Sequence, residues 1–156
     1  MSFEQIHHTK IFVSDIERSI HFYRDLLHFE LVYEAERENV ESYDIAMGMK
    51  GIHVKVAMLL MGENKDAIGL IQFVKPAKEN IGPSIGAPGY STFAVDVKDI
   101  DREYARLREA GVSSISDPQD IIRDDGRRTA RCCYVIDPDG LTVELYESFA
   151  TLDTSK

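Results

Sequence analysis

The sequence predicts an α+β fold in which two tandem βαβββ modules form a curved sheet around a cleft. Residues 15–18 (DIER) and 99–102 (DIDR) match at an offset of 84 residues, and each segment opens a helix pattern. One extended run precedes each helix pattern and three follow it, so the same unit occurs twice. A module with one helix covers only one face of its sheet, and two bare faces can enclose a small molecule.

The first module is predicted over residues 5–76. Its first nine residues are rich in β-branched and aromatic side chains, which favours a strand. Ser14 followed by Glu17 has the spacing of a capping box, so we expect a helix to begin at Ser14 and to continue along an apolar stripe. Three extended runs complete the module, near residues 29–35, 52–60 and 67–74.

The second module is predicted over residues 90–148, after a Gly- and Pro-rich linker at 77–89. Asp99 is the expected cap of its helix, and Gly111 lies where a glycine after a helix end belongs. We expect a single domain over residues 1–150 and a flexible tail over 151–156. The predicted strands lie near residues 91–97, 112–115, 128–136 and 141–147, the last two joined by the turn 137–140 (DPDG).

Composition and charge exclude several function classes. The 156 residues carry 18 basic against 27 acidic side chains, a net charge of −9, which argues against a nucleic-acid partner. The longest apolar stretches, such as residues 56–61, are too short to cross a membrane, so we expect no membrane partner and a cytoplasmic location. The adjacent Cys132 and Cys133 cannot form an ordinary disulfide if they lie in a strand.

Strand alternation predicts which side chains face the cleft. In the first strand it places His8, Lys10 and Phe12 on the bare face, because the other face suits the helix. The hairpin formed by residues 52–60 and 67–74 should set Lys55 opposite Gln72. His53, expected opposite Val74 in the neighbouring pair, would then share a face with Lys55 and Gln72.

The last hairpin contains an unusual carboxylate. The turn at 137–140 is expected to pair Ile136 with Leu141 and therefore to set Glu144 opposite Cys133. Glu144 lies among apolar residues of the strand least open to solvent. Because buried carboxylates are rare unless they are paired or bind a metal, Glu144 is a candidate site residue.

Four segments carry a resemblance to a known family: HHTKIFVSDIERSIHFYRDLLHFEL, HVKVAMLLMG with IGLIQFVKP, STFAVDVKDIDREYARLREAGV, and CYVIDPDGLTVELYE. The chain resembles the vicinal oxygen chelate superfamily, the group of glyoxalase I, bleomycin-resistance proteins and extradiol dioxygenases, over residues 5–148. The resemblance implies two βαβββ modules around a cleft. It also implies a divalent metal ion, Zn, Ni, Co, Mn or Fe, held by one residue from each of four strands.

The resemblance also implies a ligand set. His8, seven residues before Asp15, matches the first ligand, Gln72 the second and Glu144 the last. The third position, a histidine in most metal-binding members, falls on Tyr90, and Thr92 on the same face is no better. Tyr90 could ligate as a phenolate, could hydrogen-bond a metal-bound water or substrate, or could mark a site that has lost its metal. His53 could supply a replacement nitrogen or act as a general base.

Lys10, Lys55 and Arg131, if they face a closed cleft with Phe12, favour an anionic small-molecule substrate. The leading hypothesis is a glyoxalase-like, metal-dependent lyase or epimerase in which Glu144 removes or returns the proton next to a carbonyl. The second hypothesis is a ring-cleaving dioxygenase with Fe(II) or Mn(II), which would need His53 as a further ligand. The third is a metal-free binder of the resistance type. A homodimer is expected.

Overall fold

The computed structural model describes residues 6–63, 65–80, 82, 85–123 and 125–149. The chain separates into two compact units between residues 81 and 82. In the described part of the chain, each unit contains a four-stranded sheet, and the α+β fold with two tandem βαβββ modules is confirmed. None of the helices among these residues has the length and apolar character that crossing a membrane requires.

The first unit has the strand order β1-β4-β3-β2, with β1 parallel to β4 and the other neighbours antiparallel. A π-helical segment extends α1, as the Leu27 N–H bonded to the Phe22 carbonyl shows. The elements are β1 (Thr9–Phe12), α1 (Ile16–Ile20), the π-helical segment (His21–Leu26), β2 (Glu30–Glu38), α2 (Glu41–Met47), β3 (His53–Met61) and β4 (Asp66–Lys75).

The second unit repeats this plan, with the order β5-β8-β7-β6 and β5 parallel to β8. The second strand, predicted near residues 112–115, is observed instead at Gln119–Ile122, and Ser114 makes only an isolated bridge to Val135. The elements are β5 (Phe93–Asp96), α3 (Ile100–Glu109), β6 (Gln119–Ile122), β7 (Arg128–Ile136) and β8 (Thr142–Ser148).

An aspartate caps the main helix of each unit. Asp15 Oδ1 accepts the Arg18 N–H at 3.1 Å, and Asp99 Oδ1 accepts the Arg102 N–H at the same distance. The predicted cap at Ser14 is therefore wrong, since the Ser14 hydroxyl instead accepts from the Arg18 side chain. Both helices begin at the same place in the 84-residue repeat, which aligns the two modules residue by residue.

Each helix packs on one face of its own sheet and buries it. In the first unit, Ala57, Leu59 and Leu70 on that face are at most 3% exposed. In the second unit, Cys133, Val143 and Leu145 are similarly buried. Burying an aliphatic side chain stabilises the fold by about 1.5–3 kcal/mol, so these faces form the two main cores.

Helix α2 covers part of the opposite face of the first sheet, which the sequence predicted to be bare. Ile52, Val54 and Ile71 are buried there, and Tyr43 and Met47 of α2 pack against them. Sequence patterning missed α2 because the helix is short and its cap residue, Val40, provides no side-chain acceptor. Part of this face stays open, since Phe12 at the end of β1 is exposed.

The last hairpin is shifted by one residue from the prediction. Asp137 Oδ1 accepts the N–H groups of Asp139 and Leu141, so the turn holds Leu141 and the strands first pair at Ile136 and Thr142. Glu144 consequently lies opposite Tyr134 and not opposite Cys133.

Candidate functional site

His8 lies on the face of the first sheet that does not carry α1. A Cβ atom placed on Gly69 would lie 3.3 Å from His8 Cδ2 and 3.8 Å from His8 Nε2. His8 Nδ1 lies 2.7 Å from His7 Nδ1, so one of the two rings must carry the proton between them. Partial burial, together with the positive charges of His7 and Lys10, lowers the pKa of His8 from its ordinary value.

Gln72 lies on the other face, with α1. Its Oε1 accepts the Ile16 N–H at 3.1 Å, and Lys55 is its partner in β3, as predicted. Because Gly69 and Gln72 are three residues apart in a regular strand, their side-chain positions point to opposite faces. The expectation that His8 and Gln72 face one cleft is wrong, and the structure does not bring them together.

The contact of Gln72 with α1 has a measurable consequence. Replacing Gln72 by Met keeps the bulk of the side chain but removes the acceptor of the Ile16 N–H, and we expect unfolding to become easier by about 1 kcal/mol. Urea denaturation measures the change. Lys55→Met, on the same face, is the matched control for losing a polar side chain. An unchanged midpoint for Gln72→Met would show that the bond contributes nothing.

His53 and Lys55 belong to the same face as Gln72, away from His8. His53 pairs with Lys75 across a bulge, not with Val74, and its Nε2 contacts the Glu36 carboxylate. The side chain of His53 is 15% exposed. The Glu36 carboxylate already occupies this imidazole, and neither His53 nor Lys55 lies on the face of His8.

Arg131 also faces a helix. Its guanidinium pairs with Asp101 of α3 and with Asp120 of β6, and these carboxylates raise its pKa. The prediction that Lys55 and Arg131 share the face of His8 is therefore wrong. Lys10 and Phe12 do lie on the face of His8, where Phe12 is 62% exposed and stacks on Phe73 with 6.1 Å between ring centroids.

Glu144 lies on the face of the second sheet opposite to α3. Tyr134 is its partner across the hairpin, and Cys132, the partner of Tyr146, lies on the same face. Desolvation and the charge of Glu144 raise the pKa of both groups. Cys133 faces α3, where burial raises its thiol pKa to about 11. Cys132, not Cys133, is thus the cysteine beside Glu144.

Tyr90 holds the start of β8. Its hydroxyl accepts the Thr142 N–H at 2.7 Å and lies 2.8 Å from Thr142 Oγ1. The Thr92 hydroxyl donates to the Thr142 carbonyl. Both side chains that compete for the third ligand position are therefore bonded to Thr142, which is 4% exposed.

The internal repeat corrects the assignment of equivalent positions. His8 shifted by 84 residues gives Thr92, because both lie seven residues before a capping aspartate. Lys10 pairs with Gly69, and its equivalent Ala94 pairs with Glu144. Gly69 is thus the equivalent of Glu144. The repeat offset was visible in the sequence, but equating Gly69 with Glu144 required the strand register.

Comparison with known proteins identifies the family. The model of the Glyoxalase/Bleomycin resistance protein/Dioxygenase superfamily matches residues 5–145. The chain belongs to this superfamily. It is 31% identical over 147 residues to the uncharacterized protein YwkD of Bacillus subtilis (strain 168), covering 94% of this chain and 99% of that one.

Solved structures of the superfamily share the fold. A glyoxalase family protein from Bacillus cereus superposes with a TM-score of 0.80 at 21% identity, covering 96% of this chain and 99% of that one. The fosfomycin resistance protein FosX from Listeria monocytogenes, complexed with Mn(II) and sulfate, gives 0.60 at 16% identity, covering 96% and 95%. Superfamily members bind small molecules and commonly use divalent metal ions.

The side chains of this chain do not fit the superfamily's four-ligand pattern. His8 and Gly69 of the first unit are equivalent to Thr92 and Glu144 of the second. The first unit therefore has the histidine but no glutamate, and the second has the glutamate but no histidine. Over the residues described, no group of three or more His, Cys, Asp and Glu side chains is placed to hold a metal ion. Gln72 cannot replace the missing ligand beside His8, because it lies on the opposite face.

Proposed function

We propose that this superfamily member binds a small organic molecule without requiring a metal ion. This is the third hypothesis from the sequence, a metal-free binder of the resistance type. One observation carries the proposal. The positions equivalent to Glu144 and His8 are occupied by Gly69 and Thr92, a residue without a side chain and one with a neutral hydroxyl.

Coordination chemistry supports this choice. Catalytic zinc ions are held by three protein side chains, and first-row transition metals bind mainly imidazoles, carboxylates and thiolates. A threonine hydroxyl keeps its proton at neutral pH and is a weak ligand, and that of Thr92 already donates to the Thr142 carbonyl. Only His8 and Glu144 remain as strong donors in the two pairs.

A metal-dependent lyase or epimerase is the second candidate. The observation that favours it is the retention of His8 and Glu144 on the sheet faces away from α1 and α3. Glu144 would then be the proton-transferring base of the leading sequence hypothesis. The dioxygenase hypothesis has less support, because its extra ligand, His53, is paired with Glu36.

Metal content separates the two candidates. The protein is purified from medium containing Zn, Ni, Co, Mn and Fe, dialysed without chelator and analysed for elements. We expect less than about 0.1 equivalent of any divalent metal per chain, as weak two-donor binding would give. Retention of about one equivalent, lost in a His8→Ala or Glu144→Gln variant, would overturn the proposal in favour of the second candidate.

A further inference from the structure

We propose that Glu144 is the recognition residue for a protonated amine, or another cationic N–H group, carried by an aromatic small molecule. This inference rests on the proposed function, because a carboxylate that binds no metal is free to bind a cation. It reverses the sequence expectation of an anionic substrate. That expectation depended on Lys10, Lys55 and Arg131, and of these only Lys10 lies on a face that a helix leaves open, in the first unit.

The neighbours of Glu144 leave acceptor sites on its carboxylate for a ligand. A carboxylate offers about four lone-pair positions. The Tyr134 hydroxyl and the Cys132 thiol are the donor groups of the hairpin partners beside Glu144, and together they can fill only two of these positions. The remaining lone pairs can accept from a ligand N–H group.

The protein provides Glu144 with no cationic partner in its part of the sheet. Among the described residues that pair with it or flank it on the same face, none carries a positive charge; they are Ala94, Cys132, Tyr134, Thr142 and Tyr146. The nearby arginines are engaged elsewhere. Arg131 pairs with Asp101 and Asp120, and Arg128 lies over the Phe149 ring. A half-buried carboxylate of this kind gains free energy when a ligand supplies the cation.

Aromatic side chains surround this carboxylate. Tyr134 lies directly opposite Glu144, and Tyr146 lies two residues along the same strand, on the same face. Tyrosine rings attract organic cations through their electron-rich faces and contact flat apolar groups. Burial and the charge of Glu144 raise the pKa of Tyr134, so its hydroxyl stays protonated at neutral pH and can donate a hydrogen bond. The ligand class that fits is therefore an arylalkylamine.

A pair of probes of opposite charge tests the inference. Tryptamine and indole-3-propionate share an indole and differ in the charge of the side chain. The chain has no Trp, so indole fluorescence anisotropy reports only the probe. We expect the full-length protein to bind tryptamine at least about 10-fold more tightly than indole-3-propionate. Glu144→Gln should abolish this preference.

Glu147→Gln is the matched control, since it removes the same charge from the opposite face of β8. The control should keep the preference for tryptamine. Equal or tighter binding of indole-3-propionate, no tryptamine binding up to millimolar concentration, or an unchanged preference in Glu144→Gln would each overturn the inference. Elemental analysis of the same sample distinguishes the failures: bound metal contradicts the proposed function, whereas lost charge selectivity in metal-free protein contradicts only this inference.

Discussion

Replacing Gly69 by Glu and Thr92 by His in one chain is expected to create a protein that retains a divalent metal through dialysis, where the unmodified chain retains almost none. The two substitutions give each module a histidine just before β1 or β5 and a glutamate in β4 or β8, at equivalent positions. These are the residue types that hold Zn, Ni, Co or Mn in proteins.

The local structure permits both substitutions. Gly69 lies in regular strand pairing and is not among the glycines with positive φ, so a side chain there meets no backbone strain. Its Cβ would approach His8 Cδ2 to 3.3 Å, which the imidazole accommodates by moving a few tenths of an ångström. Thr92→His gives up one hydrogen bond to the Thr142 carbonyl, a cost of about 1 kcal/mol.

Elemental analysis and the absorption spectrum of added Co(II) measure the outcome. Each single variant completes only one pair and should bind more weakly than the double variant. Adding Glu144→Gln to the double variant removes one ligand of the second module and should lower the retained metal, which controls for adventitious binding at the new residues. A double variant with no more metal than the unmodified chain would show that Gly69 and Thr92 are not the missing ligand positions.

Much of the fold could be predicted because it depends on local signals that repeat. The 84-residue offset, the capping aspartates and the helix-side apolar positions predict two βαβββ modules, as observed. Helix α2 could not be predicted, since the packing of Tyr43 and Met47 on Ile52 stabilises it and no cap marks its start. Tertiary contacts, which local sequence patterns do not reveal, therefore determine that α2 forms.

The candidate site was harder to predict, because successive side chains of a strand point to opposite faces of the sheet and an error of one residue reverses every assignment. Gln72 matched the expected ligand type, but it lies an odd number of positions from Gly69, the residue that faces His8. A glycine inside an otherwise apolar strand was the available signal, since it often marks the close approach of another group. The side chain of Asp137 shifted the last hairpin by one residue, which brought Tyr134 to Glu144.

Tyr90→Phe is expected to destabilise the protein by about 1–3 kcal/mol, because it leaves the backbone N–H of buried Thr142 without its acceptor. The Thr142 hydroxyl loses the same partner. Unfolding in urea measures the change. Tyr33→Phe, which removes a hydroxyl from a residue that is 47% exposed, is the control and should change stability by less than about 0.5 kcal/mol.

The same variant tests what Tyr90 does for binding. If its hydroxyl serves only to hold Thr142, the Phe variant should bind tryptamine as tightly as the unmodified chain while unfolding more easily. A residue that ligated a metal or contacted a substrate through its hydroxyl would show the reverse, because binding would weaken with little change in stability. The two bonds to Thr142 favour the first outcome, since both engage the phenol oxygen.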